Sequence, residues 1–309
     1  MPPERRQRGR ARTSIRKGGA PRRRADPRRH TDLNPSRELR STLARFGLRP
    51  RKGFGQNFLV DPFVLDQIVA AAELAPHDDV LEVGPGLGVL TRALAERARR
   101  VVAIEIDRGM VDALAETLAD QANVEVTEGD ALRVEPADLF AGSYKLVANL
   151  PYYITSPLLR HFFEAARPPQ RMVVMVQREV AERIVAAPGA LSLLAVSVQF
   201  YGRPRIVGHV PASAFLPAPK VDSAIVAIDV LAKPAVAAAP GPFFKVVSAG
   251  FAMPRKQLHN VLPQKIWMPP DAVGPALEAA GIDPMRRAQT LSLEEWARLT
   301  HELQARHLV

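Results

Sequence analysis

The 309-residue sequence predicts an α/β protein, a doubly wound and mostly parallel sheet followed by a small α-helical domain. Three observations predict it. From residue 79 to 200, short apolar strands alternate with amphipathic helices, the pattern of buried parallel strands joined by crossovers. Two further strand-like runs, 205–210 and 223–230, follow with no clear helix between them, which suits an antiparallel hairpin closing one edge. An Ala/Pro stretch at 233–242 then reads as a linker to a purely helical pattern over 243–309.

Taken in order, residues 1–35 are rich in Arg, Pro and Gly and have almost no apolar periodicity. Such a segment buries too little surface to offset its conformational entropy, so a disordered basic tail is expected. It lacks the apolar core of a secretory signal, and it has too few Ser and too weak an amphipathic pattern for a transit peptide. The body, 36–232, opens with a short helix over 36–48 and a Gly-broken segment in which Phe54, Phe58 and Leu59 pin the chain down. Gln56-Asn57 within it reads as a polar turn or as a lid. Asp61-Pro62 starts a helix that runs to 73, with Pro in its first turn. Strands follow at 80–83, 101–106, 124–126, 146–150 and 172–176, and helices at 88–98, 108–119, 155–166, 178–186 and 191–200. With the final pair of strands this makes seven, the methyltransferase variant of the Rossmann-like sheet. Three helices are expected at the C-terminus, 243–262, 271–280 and 292–303, with Pro254 breaking or kinking the first.

Composition narrows the function. Cysteine is absent, so disulfides and thiolate metal sites are excluded; no metal is expected, and a cytoplasmic protein fits. No apolar run reaches the ~18–20 residues of a membrane span. The pI is near 10.3, but the excess charge is local. Residues 1–30 hold twelve Arg and Lys against Glu4 and Asp26, which equals the whole net charge of +10, so residues 31–309 sum to zero. The tail is either a solvated segment or a tether acting through phosphate neutralisation.

Two clusters carry chemistry. Gly84-x-Gly86-x-Gly88 follows the first strand of the sheet, but position 89 is Val89, so the G-x-G-x-x-G dinucleotide fingerprint is not met. The turn suits the close approach of an amino-acid moiety instead. Glu105 ends the next strand, where a carboxylate can accept both hydroxyls of a ribose. Asp130 follows the third strand and can accept an adenine amine. All stand where ligands bind such sheets, at the carboxyl ends of strands. Asn149-Leu150-Pro151-Tyr152 ends the fourth strand. The Asn149 side-chain oxygen and the Leu150 carbonyl can each accept one N–H of an adenine amine, and Tyr152 can stack on the ring. Taken singly, Asn149 is equally a turn residue before Pro151, and Tyr152 a core aromatic.

The motifs FGQNFL (54–59), EVGPGLGVLT (82–91), IEID (104–107), GDAL (129–132), NLPYYITSPLL (149–159), QREVAERI (177–184), PASAFLPAPKVDSA (211–224) and FAMPRKQLHN (251–260) occur in this order. On these the chain resembles the small-subunit (16S) rRNA adenine N6,N6-dimethyltransferase family (KsgA/RsmA), relatives of the Erm methyltransferases, over roughly residues 50–305. The resemblance implies a Rossmann-like class I S-adenosylmethionine methyltransferase fold. It also implies dimethylation of two adjacent adenosines near the 3′ end of 16S rRNA, in an immature small subunit, by a monomer. The cofactor contacts it implies are Asn57, Leu59, Gly84, Gly86, Glu105, Ile106, Asp130, Ala131 and Asn149, and Phe215 matches the family's second aromatic beside the target base. The helical domain is implied to bind RNA or ribosome, although Met253-Pro254-Arg255-Lys256 keeps only two of the family's basic residues there. An Erm-like enzyme acting on 23S rRNA and a non-catalytic assembly factor are the other readings.

Overall fold

The computed structural model describes residues 35–51 and 55–309. Most of the expected basic tail, and with it Phe54, therefore lies outside the described residues. Residues 35–309 form one compact unit.

Helix α1 (Pro35–Arg45) precedes a two-residue strand, β1 (Phe58–Leu59), and α2 (Pro62–Ala71). The Asp61 carboxylate caps α2, accepting from the Phe63 and Val64 amides at 2.9 and 3.3 Å, while Pro62 at the first position gives up an N–H that the helix does not need. The alternation then runs β2 (Asp79–Val83), α3 (Val89–Ala95), β3 (Arg100–Glu105), α4 (Arg108–Thr117), β4 (Val124–Glu128), α5 (Pro136–Leu139), β5 (Tyr144–Asn149), α6 (Thr155–Glu164), β6 (Arg171–Gln177), α7 (Arg178–Ile184) and α8 (Leu193–Tyr201). The edge hairpin is β7 (Gly202–Val210) and β9 (Ser223–Val230), with the two-residue β8 (Phe215–Leu216) in the connection. The expected strands are present within a few residues of their expected bounds.

The seven-stranded sheet has the order β4-β3-β2-β5-β6-β9-β7, with β9 antiparallel to both β6 and β7 and the other pairs parallel. The order reverses between β2 and β5, the switch point at which open α/β sheets leave a crevice. Register aligns the strand ends there: Val83 lies opposite both Ile104 and Ala148, and Glu105 opposite Glu128. Strand side chains alternate between faces. Leu81, Ile104, Leu146 and Val174 pack against α6, α7 and Val198 of α8 on one face. Val80, Val101, Val147 and Val173 pack against α2 and α3 on the other.

The C-terminal region holds four helices rather than three: α9 (Pro240–Phe251), α10 (Leu258–Ile266), α11 (Pro270–Ala279) and α12 (Leu293–Ala305). Pro254 falls in the loop between α9 and α10, so the expected first helix is two. A capping box, Ser292 with Glu295, starts α12. The 233–242 segment is anchored, because Val236 is buried and the Ala235 amide donates to the Phe200 carbonyl at 2.9 Å. Helix α8 contributes Ala195, Val196 and Phe200 to the core of these helices. Among the described residues no helix is long and apolar enough to cross a membrane.

Candidate active site

One cavity opens at the switch point. Residues 55–59, 82–87, 89–90, 104–106, 129–131 and 149–154 line it, with Leu39 from α1. Every expected site residue except Phe215 stands in its wall.

The β2–α3 turn is built from left-handed glycines, with φ of +71° at Gly84, +60° at Gly86 and +85° at Gly88. A Cβ on Gly86 would lie 3.1 Å from the Phe58 ring, so the turn presents bare backbone to a cradle closed by β1. Beneath the turn, Glu82 is 1% exposed, and one of its carboxyl oxygens is buried without a hydrogen-bond partner. Burial pushes this carboxyl up to about 8; nearby Glu105 adds to the rise and the Thr91 hydroxyl opposes it.

Glu105 is also buried, and backbone amides hold it. Oε1 accepts from Ile106 and Asp107 at 2.9 Å each, and Oε2 from Gly86 at 3.3 Å. Burial raises its pKa, and these amides oppose the rise. A carboxylate has about four acceptor sites. The ribose grip expected of Glu105 therefore rests on little spare acceptor capacity, on an oxygen pair already aimed by the glycine turn. Ile106 is half exposed beside it and offers an apolar surface, and Ala131 offers another. Asp130 holds its own loop, accepting from the Leu132 amide at 3.0 Å.

Asn149 is oriented rather than loose. Its Nδ2 donates to the Asn57 carbonyl at 3.2 Å, which leaves Oδ1 as the acceptor of the side chain. Asn57 is itself fixed by donating to the Gly55 carbonyl at 3.0 Å. The Leu150 amide donates to the Met175 carbonyl at 3.3 Å, locking the next peptide to β6. Tyr152 is half-buried, and its hydroxyl lies 2.7 Å from Ser223 Oγ. Burial pushes this phenol's pKa up.

Phe215, expected beside the target base, is 4% exposed and packs among Leu59, Val64, Val210 and Ala214, away from the cavity wall. Strand β8 runs antiparallel to β1 with Phe215 opposite Leu59. Cross-strand partners share a face, and both residues belong to the core against α2, although Leu59 also borders the cavity and Phe215 does not. Three contributors were missed. Leu39 packs with Phe58 and Leu87 around the glycine turn, Tyr153 stands at the mouth, and Asp107 anchors the N-terminal segment. The buried Asp107 carboxylate accepts from Gln56 Nε2 at 3.2 Å and from the Gly109 amide at 3.1 Å, capping α4. Only Asp107, followed three positions later by an apolar run, carried a legible signal as a helix cap.

Residues 47–305 match the family described as ribosomal RNA adenine dimethylase. A protein of Dehalococcoides mccartyi named ribosomal RNA small subunit methyltransferase A is 47% identical over 271 residues, covering 86% of this chain and 92% of the relative. One of the same name from Moorella thermoacetica is 45% identical over 283 residues, covering 87% and 98%. Among solved structures, the 23S rRNA methyltransferase ErmE aligns with a TM-score of 0.65 and 33% identity over 80% of this chain and all of its own, 100%. A dimethyladenosine transferase from Plasmodium falciparum aligns with a TM-score of 0.70 and 27% identity, over 81% and 98%. The sheet and its flanking helices are thus a class I methyltransferase fold, and the chain, matched by the family over residues 47–305, belongs to the ribosomal RNA adenine dimethylase family.

Proposed function

We propose that the protein transfers methyl groups from S-adenosylmethionine to the N6 amines of two adjacent adenosines near the 3′ end of 16S rRNA, in the immature small subunit. The observation that carries the reading is Asn149, which stands in the wall of the glycine-lined cavity and whose Nδ2 donates to the Asn57 carbonyl, so that Oδ1 is the acceptor its side chain has to offer.

The wall suits the cofactor. Glu105 offers a carboxylate at the end of β3, Asp130 an acceptor in the loop just after β4, and Gly84 and Gly86 a backbone surface without Cβ atoms. When bound, S-adenosylmethionine supplies a methyl group already activated on a sulfonium. An adenine amine is a poor nucleophile because its lone pair is delocalised into the ring. Asn149 Oδ1 and the Leu150 carbonyl each accept one N–H, which favours the pyramidal nitrogen of the transition state over the planar ground state. Tyr152, held by Ser223, stacks on the ring, a contact worth ~1–3 kcal/mol per base. The displaced proton leaves to water, so the residues need position the amine only.

The relatives named for the small subunit reach 41–47% identity over most of both chains, which favours this substrate over the 23S RNA in ErmE's name. Purified protein with labelled cofactor and unmethylated ribosomal subunits tests it. Label in small-subunit RNA, located by mass spectrometry to paired dimethyladenosines, is expected; label in the large subunit would make the enzyme Erm-like. Assembly activity that survives loss of methylation would make it chiefly an assembly factor.

A further inference from the structure

With Phe215 withdrawn into the core, the cavity shows two tyrosine rings, and they differ. Both lie on the 3₁₀ turn Tyr152–Ile154, which the Ile154 amide closes by donating to the Pro151 carbonyl at 3.1 Å. A 3₁₀ turn has three residues per turn, so neighbouring side chains leave it about 120° apart. Tyr152 points inward and is pinned by Ser223. Tyr153 therefore cannot share its direction. It is 62% exposed and still lines the cavity mouth. Its inner edge is seated: a Cβ built on Gly55 would stand 3.8 Å from Tyr153 Cε1 and 3.4 Å from Pro151 Cβ. The ring thus lies within ordinary contact range of Gly55 and Pro151, both of which line the cavity. Nothing in the chemical step described above uses this ring.

A large ring with an open face at the lip of a site that accepts an extruded base has one ready use. We infer that Tyr153 is the stacking platform for the unpaired nucleotide adjoining the target adenosine, holding that neighbour while Tyr152 holds the target. This deepens, and rests on, the reading of the cavity as an adenosine site in unpaired RNA. Stacking between an aromatic side chain and a base tolerates any base. Tyr153 would thus bind the flanking nucleotide without reading its identity, and the first adenosine would be held in place while its neighbour enters the site. Tyr153 is a positioning residue and makes no contact with the reacting amine.

The test uses the full chain and the RNA of the unmethylated small subunit, with 2-aminopurine placed either at the target or at the adjoining position. In the wild type both probes are quenched on binding. Tyr153→Ala should abolish quenching at the adjoining position alone, while Tyr153→Phe retains it. With unlabelled subunits, Tyr153→Ala should raise KM for RNA by about tenfold or more, with cofactor affinity by calorimetry unchanged. Unaltered quenching and KM in Tyr153→Ala would overturn the assignment, and so would a matching loss of cofactor affinity, which would make the ring part of the cofactor site. Absence of quenching at the target position in the wild type would instead strike the adenosine reading itself, so the two failures are distinguishable.

Discussion

Replacing Glu82 by Gln removes a titration and little else, because the amide closely copies the shape of the neutral acid. The native carboxyl is raised from 4.5 to about 8, chiefly by burial. Between those values the folded chain holds a proton that the unfolded chain has released, so the native state binds more protons and stability falls as pH rises. The slope is about 1.4 kcal/mol per pH unit. Over the full window the loss is on the order of 5 kcal/mol, an upper figure because the denatured chain keeps residual structure. Urea titrations of both proteins from about pH 4.5 to about pH 9 check this. The two should be nearly equally stable at the acidic end, and Glu82→Gln should be the more stable by several kcal/mol at the alkaline end. Glu73, Asp78, Asp120 and Glu295 have lowered native pKa values, so their stabilisation is lost as pH falls through a lower range, equally in both proteins. Glu105 is raised as well and slopes in the same direction as Glu82. The difference curve removes these shared contributions. Parallel stability curves would refute the claim that Glu82 is protonated beneath the glycine turn.

Asn149→Ala should cut single-turnover methylation by roughly a hundredfold to a thousandfold, the usual loss for one transition-state partner, with subunit binding intact; a defect in binding alone would remove Asn149 from the chemical step. Gly86→Ala places a Cβ 3.1 Å from the Phe58 ring on a residue at φ +60°. It should cost about 1–2 kcal/mol of stability and weaken cofactor binding in calorimetry, whereas an undiminished affinity argues against the cradle. Deleting residues 1–35 should leave cofactor affinity alone and flatten the dependence of RNA affinity on salt; an unchanged slope in filter binding would reduce the tail to a solvated segment.

The sheet was legible because its central strands are apolar on both faces and its hairpin lacks an intervening α-helix. The β1–β8 pair was not, since two residues carry no periodicity. Yet the fate of Phe215 lies in tertiary packing: a phenylalanine between prolines reads alike whether buried or presented, and only the core around it, with Val64, Val210 and Ala214, says which. The four-residue α5 escaped for the same reason as β1, and the split between α9 and α10 was visible only as a proline. The wall residues at strand ends were legible from residue type and spacing. Their state was not. That burial raises the Glu82 carboxyl and that three amides hold Glu105 depends on how closely two strands and a turn approach. Tyr153's exposure depends on the phase of a single 3₁₀ turn.

Helix α8 has a consequence for substrate handling. Leu194 and Val198 form one stripe, against the core under the sheet, while Val196 and Phe200 form another, inside the core of the C-terminal helices, and Tyr201 packs against both. Tilting the terminal bundle would uncover one stripe or the other, so the helix serves as a shared rafter rather than a hinge. The terminal helices are thus held at a constant offset from the cavity, so any surface they offer a substrate keeps a fixed distance from the strand-end residues.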